Sequence, residues 1–563
     1  MKVVIVGGVA GGATAAARIR RLDEKAEITV FEKSGFVSYA NCGLPYYIGE
    51  VITDPSELTL QSPGSFRKRF RVDVKVRHEV TGIDRQRKCV SVKNLDSGEV
   101  FEEKYDKLIL SPGARPVKPA LSGVDSPLIF TLRTVEDTFR IYDFVEEKKP
   151  SRAVIVGGGY IGIETAENLR ERGMEVSIVQ RPAQLMNTLD YDMATFVHAK
   201  LRSRGIRVMT SSDVTGFETS GDKITVSIRD KESLCADMVI LAIGVQPDSA
   251  LAEKAGLELG IKKSIVVNEK MQSSDPDIYA VGDAVQIKNF VSDLDALISL
   301  AGPANKQGRI AADNICGLSS AFRGSAGSSV IKIFDMTVAS TGLTEKACKA
   351  AGIKCDYVIL SPSSHASYYP GARTMTLKVV FSTENFRILG AQGIGAEGVD
   401  KRIDVFATAI MAGMTAGDLK DLDLCYAPPY SSAKDPVNMA GFMIENIQRG
   451  LVKQYHIEDV ERLVKTEGVF LLDTRTEGEY GKGHVEGYVN IPVDELRERL
   501  GEIDRDKPVY VMCQSGLRSY ISCRILMQEG FDCYNFSGGY RFYSAVTSEA
   551  AVKDRSLPCG MDK

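Results

Sequence analysis

The sequence is marked first by what it lacks. Its eleven cysteines are scattered, odd in number and never spaced C-x-x-C. That pattern excludes a disulfide framework and a tetrahedral zinc site, both of which need clustered ligands, and no metal is expected. The formal net charge is only −4, which gives no electrostatic basis for binding nucleic acid or an anionic membrane. Small molecules are the expected partners. No apolar run approaches the roughly 20 residues of a membrane span. The chain opens on a strand pattern, "MKVVIVGG", without the basic and apolar stretches of a secretory signal, so a cytoplasmic location is expected.

What is present is ample core material and a repeat. At 563 residues, 44% of them hydrophobic, the chain is long enough for about three or four domains. "KVVIVGGVAGGATAAARIRRLDEKAEITVFEK" reads as strand, glycine turn, helix and strand, and "RAVIVGGGYIGIETAENLRERGMEVSIVQRP" repeats it from residue 152. Two such units predict two nucleotide-binding α/β domains. A Gly/Ser-rich break, "GSAGSSV", precedes strand-like segments of a separate α+β domain. From about residue 452 the pattern restarts with about 100 residues, enough for an independent α/β domain. The last residues, "AVKDRSLPCGMDK", read as a loose tail.

In the second unit Gly157, Gly159 and Gly162 fit G-x-G-x-x-G. The first makes the tight turn, the second admits pyrophosphate, and the third allows close helix–strand packing. In the first unit Gly7 and Gly12 hold the outer positions and Val9 the middle one, while Glu32, about 20 residues on, supplies a carboxylate for a ribose hydroxyl. The second unit ends in Gln180-Arg181 instead, so exclusion of a 2′-phosphate is not assured. The cofactor there is written NAD(P)H, with a slight lean to NADH.

These two units together with "SPGARP", "DIYAVGDA" and "LAGPANKQGR" resemble the two-dinucleotide flavoprotein reductases. The resemblance covers residues 1 to about 445 and implies FAD on the first unit and NAD(P)H on the second. It implies that Asp283 holds the flavin's ribityl chain, that Lys33 joins Gly7, Gly12 and Glu32 at the FAD, and that Tyr160 gates the nicotinamide side. The expected domains are 1–112 with 250–323 for FAD, 113–249 for NAD(P)H, 324–446 for dimerisation and 452–550 for the last domain.

A dithiol beside the flavin is excluded, because the residue five before Cys42 is Val37. A single thiol must complete its cycle with oxygen, as a sulfenic acid, or with an external sulfur, as a mixed disulfide. "SYANCGLPYYIGE" resembles the single-cysteine branch that holds coenzyme A disulfide reductases, NADH oxidases and NADH peroxidases. "HASYYPGA" and "CYAPPYSSAKDPVN" resemble its coenzyme A members. By that resemblance Tyr368 and Tyr426 reach the flavin–cysteine site from the partner subunit of a homodimer. Coenzyme A contacts are implied for Thr14, Arg18, Arg21, Ser38, Asn41, Arg71, Asn305 and Lys434. The peroxide-handling members would need a histidine early in the first domain, and none of the five histidines lies between the first glycine turn and Cys42.

"CQSGLRS" places Cys513 at the end of a buried strand, before a loop closed by Arg518 and a helix. Backbone N–H groups in such a loop form an anion nest that favours a thiolate or a terminal sulfur. With "LLDTRTEGEYGKGHVEGYVNIP" and "GGY", the segment resembles the single-domain rhodanese family; the phosphatase relatives use a loop one residue longer. The expected activity is therefore reduction of coenzyme A persulfide, polysulfide or coenzyme A disulfide, with Cys513 carrying sulfane sulfur. Two alternatives stay open at this point: an NADH oxidase cycling Cys42 as a sulfenic acid, and a sulfur-relay protein that uses the flavoprotein part as scaffold.

Overall fold

The computed structural model describes residues 1–551; the tail beyond, with Cys559, lies outside them. The chain divides into two compact units, residues 1–186 with 205–327, and residues 187–204 with the C-terminal part from 328.

The first unit contains two parallel five-stranded sheets of the same design. In one the order is Ile278–Ala280, Lys107–Leu110, Lys2–Val6, Glu27–Glu32 and Asp73–Val76. In the other it is Ile129–Phe130, Met238–Leu241, Arg152–Val156, Glu175–Val179 and Arg207–Met209. Each central strand is an apolar run buried on both faces, as a parallel sheet covered by helices requires. A three-stranded antiparallel sheet accompanies each, His78–Asp84 to Val100–Lys104 in the first and Val214–Ser220 to Leu234–Ala236 in the second. The helix Ala10–Leu22 packs against Ala301–Ile315 so closely that a Cβ on Gly308 would stand 2.3 Å from the Gly11 carbonyl oxygen.

The second unit holds an antiparallel sheet ordered Ser329–Ile333, Met336–Gly342, Ile388–Gly395, Thr376–Ser382 and Cys355–Leu360. A fully parallel sheet follows it, ordered Lys453–Tyr455, Cys533–Phe536, Val509–Met512, Phe470–Asp473 and Val489–Asn490. The fold is thus mixed α/β with an α+β portion, as the strand and turn patterns predict.

These two parts of the second unit are joined by polar contacts. The Ile359 N–H donates to Ser537 Oγ at 3.0 Å, and Gln454 Nε2 donates to the Tyr357 carbonyl at 2.9 Å. His456 Nε2 meets Asp356 Oδ1 at 2.6 Å, its ring stacks on Tyr357 at 4.0 Å, and the Tyr357 hydroxyl donates to Glu458 at 3.1 Å. On the other face of Tyr357 the ammonium of Lys378 sits 3.9 Å from the ring centroid. Lys378 is 1% exposed and pairs with Asp192 at 2.8 Å and with Asp190 and Glu345 at 3.3 Å each. Three carboxylates and an aromatic face hold one buried cation, and their attraction outweighs the burial that would otherwise strip its proton.

Candidate functional site

The two glycine turns are alike down to single hydrogen bonds. A Cβ on Gly12 would lie 1.9 Å from the Gly7 oxygen, and one on Gly162 would lie 2.1 Å from the Gly157 oxygen, so both helices start pressed against their own turns. Glu32 Oε2 accepts from the Gly8 N–H at 2.7 Å, and Gln180 Oε1 accepts from the Gly158 N–H at 3.0 Å. Gln180 therefore takes the structural place of Glu32 without its charge. Both side chains are buried, and desolvation pushes the Glu32 carboxyl upward. At Gly159, by contrast, a Cβ would meet no protein atom within 4 Å, which leaves open space at the start of the helix Tyr160–Glu171. Neither helix carries an acidic residue in its first turn, so each N-terminus can take a pyrophosphate. These features fit the two dinucleotides.

Around Cys42 the structure gathers groups that the sequence reading did not connect. Cys42 sits in the single turn Asn41–Gly43, followed directly by the helix Leu44–Ile48. With its amide oriented to satisfy its partners, Asn41 donates to the Arg133 carbonyl at 2.9 Å and accepts from the Arg133 guanidinium at 3.3 Å. Arg133 Nη2 in turn meets Asp283 Oδ2 at 2.7 Å. One turn after Cys42, the Tyr46 hydroxyl donates to Glu164 Oε1 at 3.3 Å. Cys42 is exposed as a residue, yet surrounding protein raises its thiol, chiefly by desolvation and then by the Glu164 carboxylate, against the pull of Arg133. Arg133 and Glu164 escape a local reading because they come from 91 and 122 residues away in sequence.

The other positions read from the sequence fall into groups. Thr14 Oγ1 donates to Asn305 Oδ1 at 2.9 Å, and Arg18 Nε meets Asp313 at 2.6 Å, all on the Ala10–Leu22 and Ala301–Ile315 helices. Ser38 takes a left-handed backbone, φ 49°, and donates its N–H to the Gly8 oxygen at 2.8 Å. Arg21 is exposed, Lys33 pairs with Glu79 at 2.7 Å, and Arg71 reaches Glu24 at 3.3 Å on the surface. In the second unit the Tyr368 and Tyr426 hydroxyls are 2.8 Å apart and strongly exposed, at 74% and 48%, and Lys434 is also exposed. The bond between them raises the Tyr368 hydroxyl.

Cys513 is fully buried at the end of the strand Val509–Met512. Its Sγ accepts from the Gly516 N–H at 3.1 Å and from Ser519 Oγ at 3.2 Å. Arg518 closes the loop by a two-pronged pair with Glu479, at 2.7 Å in each prong. That pair is the main reason the Glu479 carboxyl is lowered to about 2. Beneath the loop Arg475 is buried on Asp473 at 2.7 Å and on the face of Tyr540 at 3.9 Å, while the Tyr540 N–H donates to the Cys513 carbonyl at 2.7 Å.

Residues 1–308 match the family described as "Pyridine nucleotide-disulphide oxidoreductase". The chain belongs to that family. The oxidoreductase continues with a match to the family's dimerisation domain over residues 328–436 and to the rhodanese-like domain over 456–545. A homodimer follows as the expected assembly. The oxidoreductase is 39% identical over 442 residues to a coenzyme A disulfide reductase of Staphylococcus aureus, covering 78% of this chain and 99% of that protein. It is similar to the structure of reduced Bacillus anthracis CoADR-RHD, with 47% identity, TM-score 0.96, and 97% and 98% of the two chains covered. It is also similar to an NAD-dependent persulfide reductase from A. fulgidus, with 39% identity, TM-score 0.90, and 96% and 100% covered. The water-forming NADH oxidase of Lactobacillus brevis matches at 28% identity and TM-score 0.76, over 80% of this chain and 99% of that one. Family membership implies FAD and NAD(P)H. Among the described residues no helix is long and apolar enough to cross a membrane.

Proposed function

We propose that this flavoprotein uses NAD(P)H to reduce the sulfur–sulfur bond of coenzyme A persulfide, polysulfide or coenzyme A disulfide through a mixed disulfide on Cys42. The observation that carries the reading is a pair of differently built thiols in one chain. Cys42 is exposed, with charged groups around it, and Cys513 is seated on two hydrogen-bond donors. Its relatives, a coenzyme A disulfide reductase and an NAD-dependent persulfide reductase, point the same way.

Gly7, Gly12, Glu32, Lys33 and Asp283 hold FAD in this scheme, and Gly157, Gly159, Tyr160, Gly162 and Gln180 hold the nicotinamide dinucleotide. Bound there, FAD would supply the electron pair, drawn from NAD(P)H, that releases the sulfur held on Cys42. Cys42 attacks one sulfur of the substrate, and the departing sulfur takes a proton from the Tyr368–Tyr426 pair, acting across the dimer interface. Thr14, Arg18, Arg21, Ser38, Asn41, Arg71, Asn305 and Lys434 contact coenzyme A. For Arg18 that means leaving or sharing Asp313. Cys513, in the loop closed by Arg518, carries sulfane sulfur to or from coenzyme A. The setting is cytoplasmic.

The Cys42→Ser holoenzyme should still accept electrons from NADH yet lose anaerobic reduction of coenzyme A persulfide; retained turnover would refute the scheme. The likeness to the NADH oxidase supports a second reading, in which oxygen oxidises Cys42. NADH consumption with oxygen that equals or exceeds anaerobic consumption with persulfide would favour it.

A further inference from the structure

The reaction just proposed leaves one proton without a destination: the one that Cys42 loses as it becomes a nucleophile. The structure offers an acceptor that no motif marks. The segment Cys42–Gly49 is fastened to the helix Tyr160–Glu171, since Arg172 Nη1 donates to the Ile48 carbonyl at 3.0 Å and a Cβ on Gly49 would lie 1.9 Å from Asn168 Oδ1. Asn168 Nδ2 donates to the Glu164 carbonyl at 2.7 Å, one turn back on that helix. The Tyr46 hydroxyl, one turn beyond Cys42, then closes onto the Glu164 carboxylate at 3.3 Å. Glu164 is therefore fixed at both its backbone and its side chain on the helix fastened to the Cys42 segment, and its carboxylate acts electrostatically on the thiol.

We propose that Glu164, positioned by Tyr46, takes the proton from Cys42 when the thiolate forms. The S–H bond of Cys42 breaks, and an O–H bond forms on Glu164. The thiolate electron pair then attacks one sulfur of the substrate; a Cys42–sulfur bond forms, the substrate sulfur–sulfur bond breaks, and the other sulfur leaves with the pair. The proton remains on Glu164, so the negative charge moved in this step passes from carboxylate to thiolate to departing sulfur, and on to the Tyr368–Tyr426 pair once that pair protonates the sulfur. Charge is conserved without an extra cation.

The surrounding charges suit this exchange. Desolvation pushes the Glu164 carboxyl up to about 7, with Glu167 adding to the rise and the Tyr46 hydrogen bond opposing it. The charges that act on Cys42 are those of Glu164, Arg133 and Asp283, and those that act on Tyr46 are Glu164, its hydrogen-bond partner, and Glu167. Two groups that each resist ionisation, and more so when the other is charged, titrate as a pair.

The inference rests on Cys42 being the nucleophile, but its test does not depend on turnover. In the FAD-loaded enzyme, the rate of Cys42 alkylation by iodoacetamide is followed against pH by peptide mass spectrometry. Wild type should show two inflections, the lower near pH 7 as Glu164 ionises. Glu164→Gln should remove that inflection and move the remaining one downward, raising the alkylation rate at pH 8 by about threefold to tenfold, as a shift of half to one pH unit requires. Its kcat for persulfide should nevertheless fall at neutral pH. Tyr46→Phe keeps the carboxyl but removes its hydrogen bond, and should move the lower inflection to higher pH. A single inflection in wild type, or a Glu164→Gln profile that superimposes on it, would overturn the assignment. If Cys42→Ser retained turnover while the two-step alkylation profile held, the proposed reaction would fail and the Cys42–Glu164 pair would stand.

Discussion

Replacing Lys378 by methionine keeps an unbranched stem of similar length and removes one buried positive charge. At an effective dielectric of about 20, the 2.8 Å contact with Asp192 alone corresponds to about 6 kcal/mol of gross attraction, most of it offset by the desolvation of both charges. The net loss follows from what the substitution strands. Asp190 and Asp192 remain buried with their shared cation gone, while Glu345 keeps a second partner in Lys349, and orphaning a buried charge costs about 3–5 kcal/mol. Native-state hydrogen exchange, read by mass spectrometry in Cys355–Leu360 and Thr376–Ser382, should report an opening free energy lower by that amount at pH 7.5. The deficit should depend on pH in a defined direction. Without Lys378, which lowers both, the buried Asp190 and Asp192 carboxyls should stand above their unfolded pKa values in the folded state. The penalty is then fully present at neutral pH and is relieved as pH falls through the raised folded values. A change under about 1 kcal/mol at pH 7.5, or a deficit that grows on acidification, would refute the idea that this cation organises the second unit.

Three further outcomes are expected. Gly12→Ala must relocate the Gly7 carbonyl, so the purified protein should carry much less FAD by its visible absorbance, with little change in the exchange of the second unit. Ser519→Ala removes one donor from Cys513 Sγ, and a loss of about 1 kcal/mol should lower thiosulfate–cyanide sulfur transfer about fivefold to tenfold. Glu479, lowered to about 2 by Arg518, should stabilise the rhodanese-like part above the unfolded carboxyl pKa and cease to do so as pH falls toward 2. Because the side chain is 34% exposed, the effect should stay under about 1 kcal/mol, and an acid titration of Glu479→Gln should lack it.

Much of the architecture was legible because it rests on local patterns. The two strand–turn–helix units, the "CQSGLRS" loop and the restart near residue 452 all announce themselves within a few dozen residues. The Gln180 substitution was visible too, but not its hydrogen bond to Gly158, which shows that the amide replaces the shape of Glu32 while omitting its charge. What could not be read is what meets across the fold. Arg18 looked like a free cation for a phosphate, yet Asp313 lies against it from 295 residues away. Glu164 read only as part of a dinucleotide-binding helix, and its place beside Cys42 arises when that helix packs on Leu44–Ile48. Charge neighbours of this kind have no sequence spacing, because segments far apart in the chain supply them.

The contacts made by Ser537 and Gln454 carry a consequence for how such a chain could be shortened. Cys355–Leu360 is the outermost strand of its sheet, with one side of its backbone unpaired by any other strand among the described residues. The Ile359 N–H and the Tyr357 carbonyl on that side are taken up by Ser537 and Gln454. The rhodanese-like part thus shields a sticky margin as well as housing a thiol. A protein cut near residue 450 would display that margin to its own copies, and self-association through added strands is the failure to expect from it.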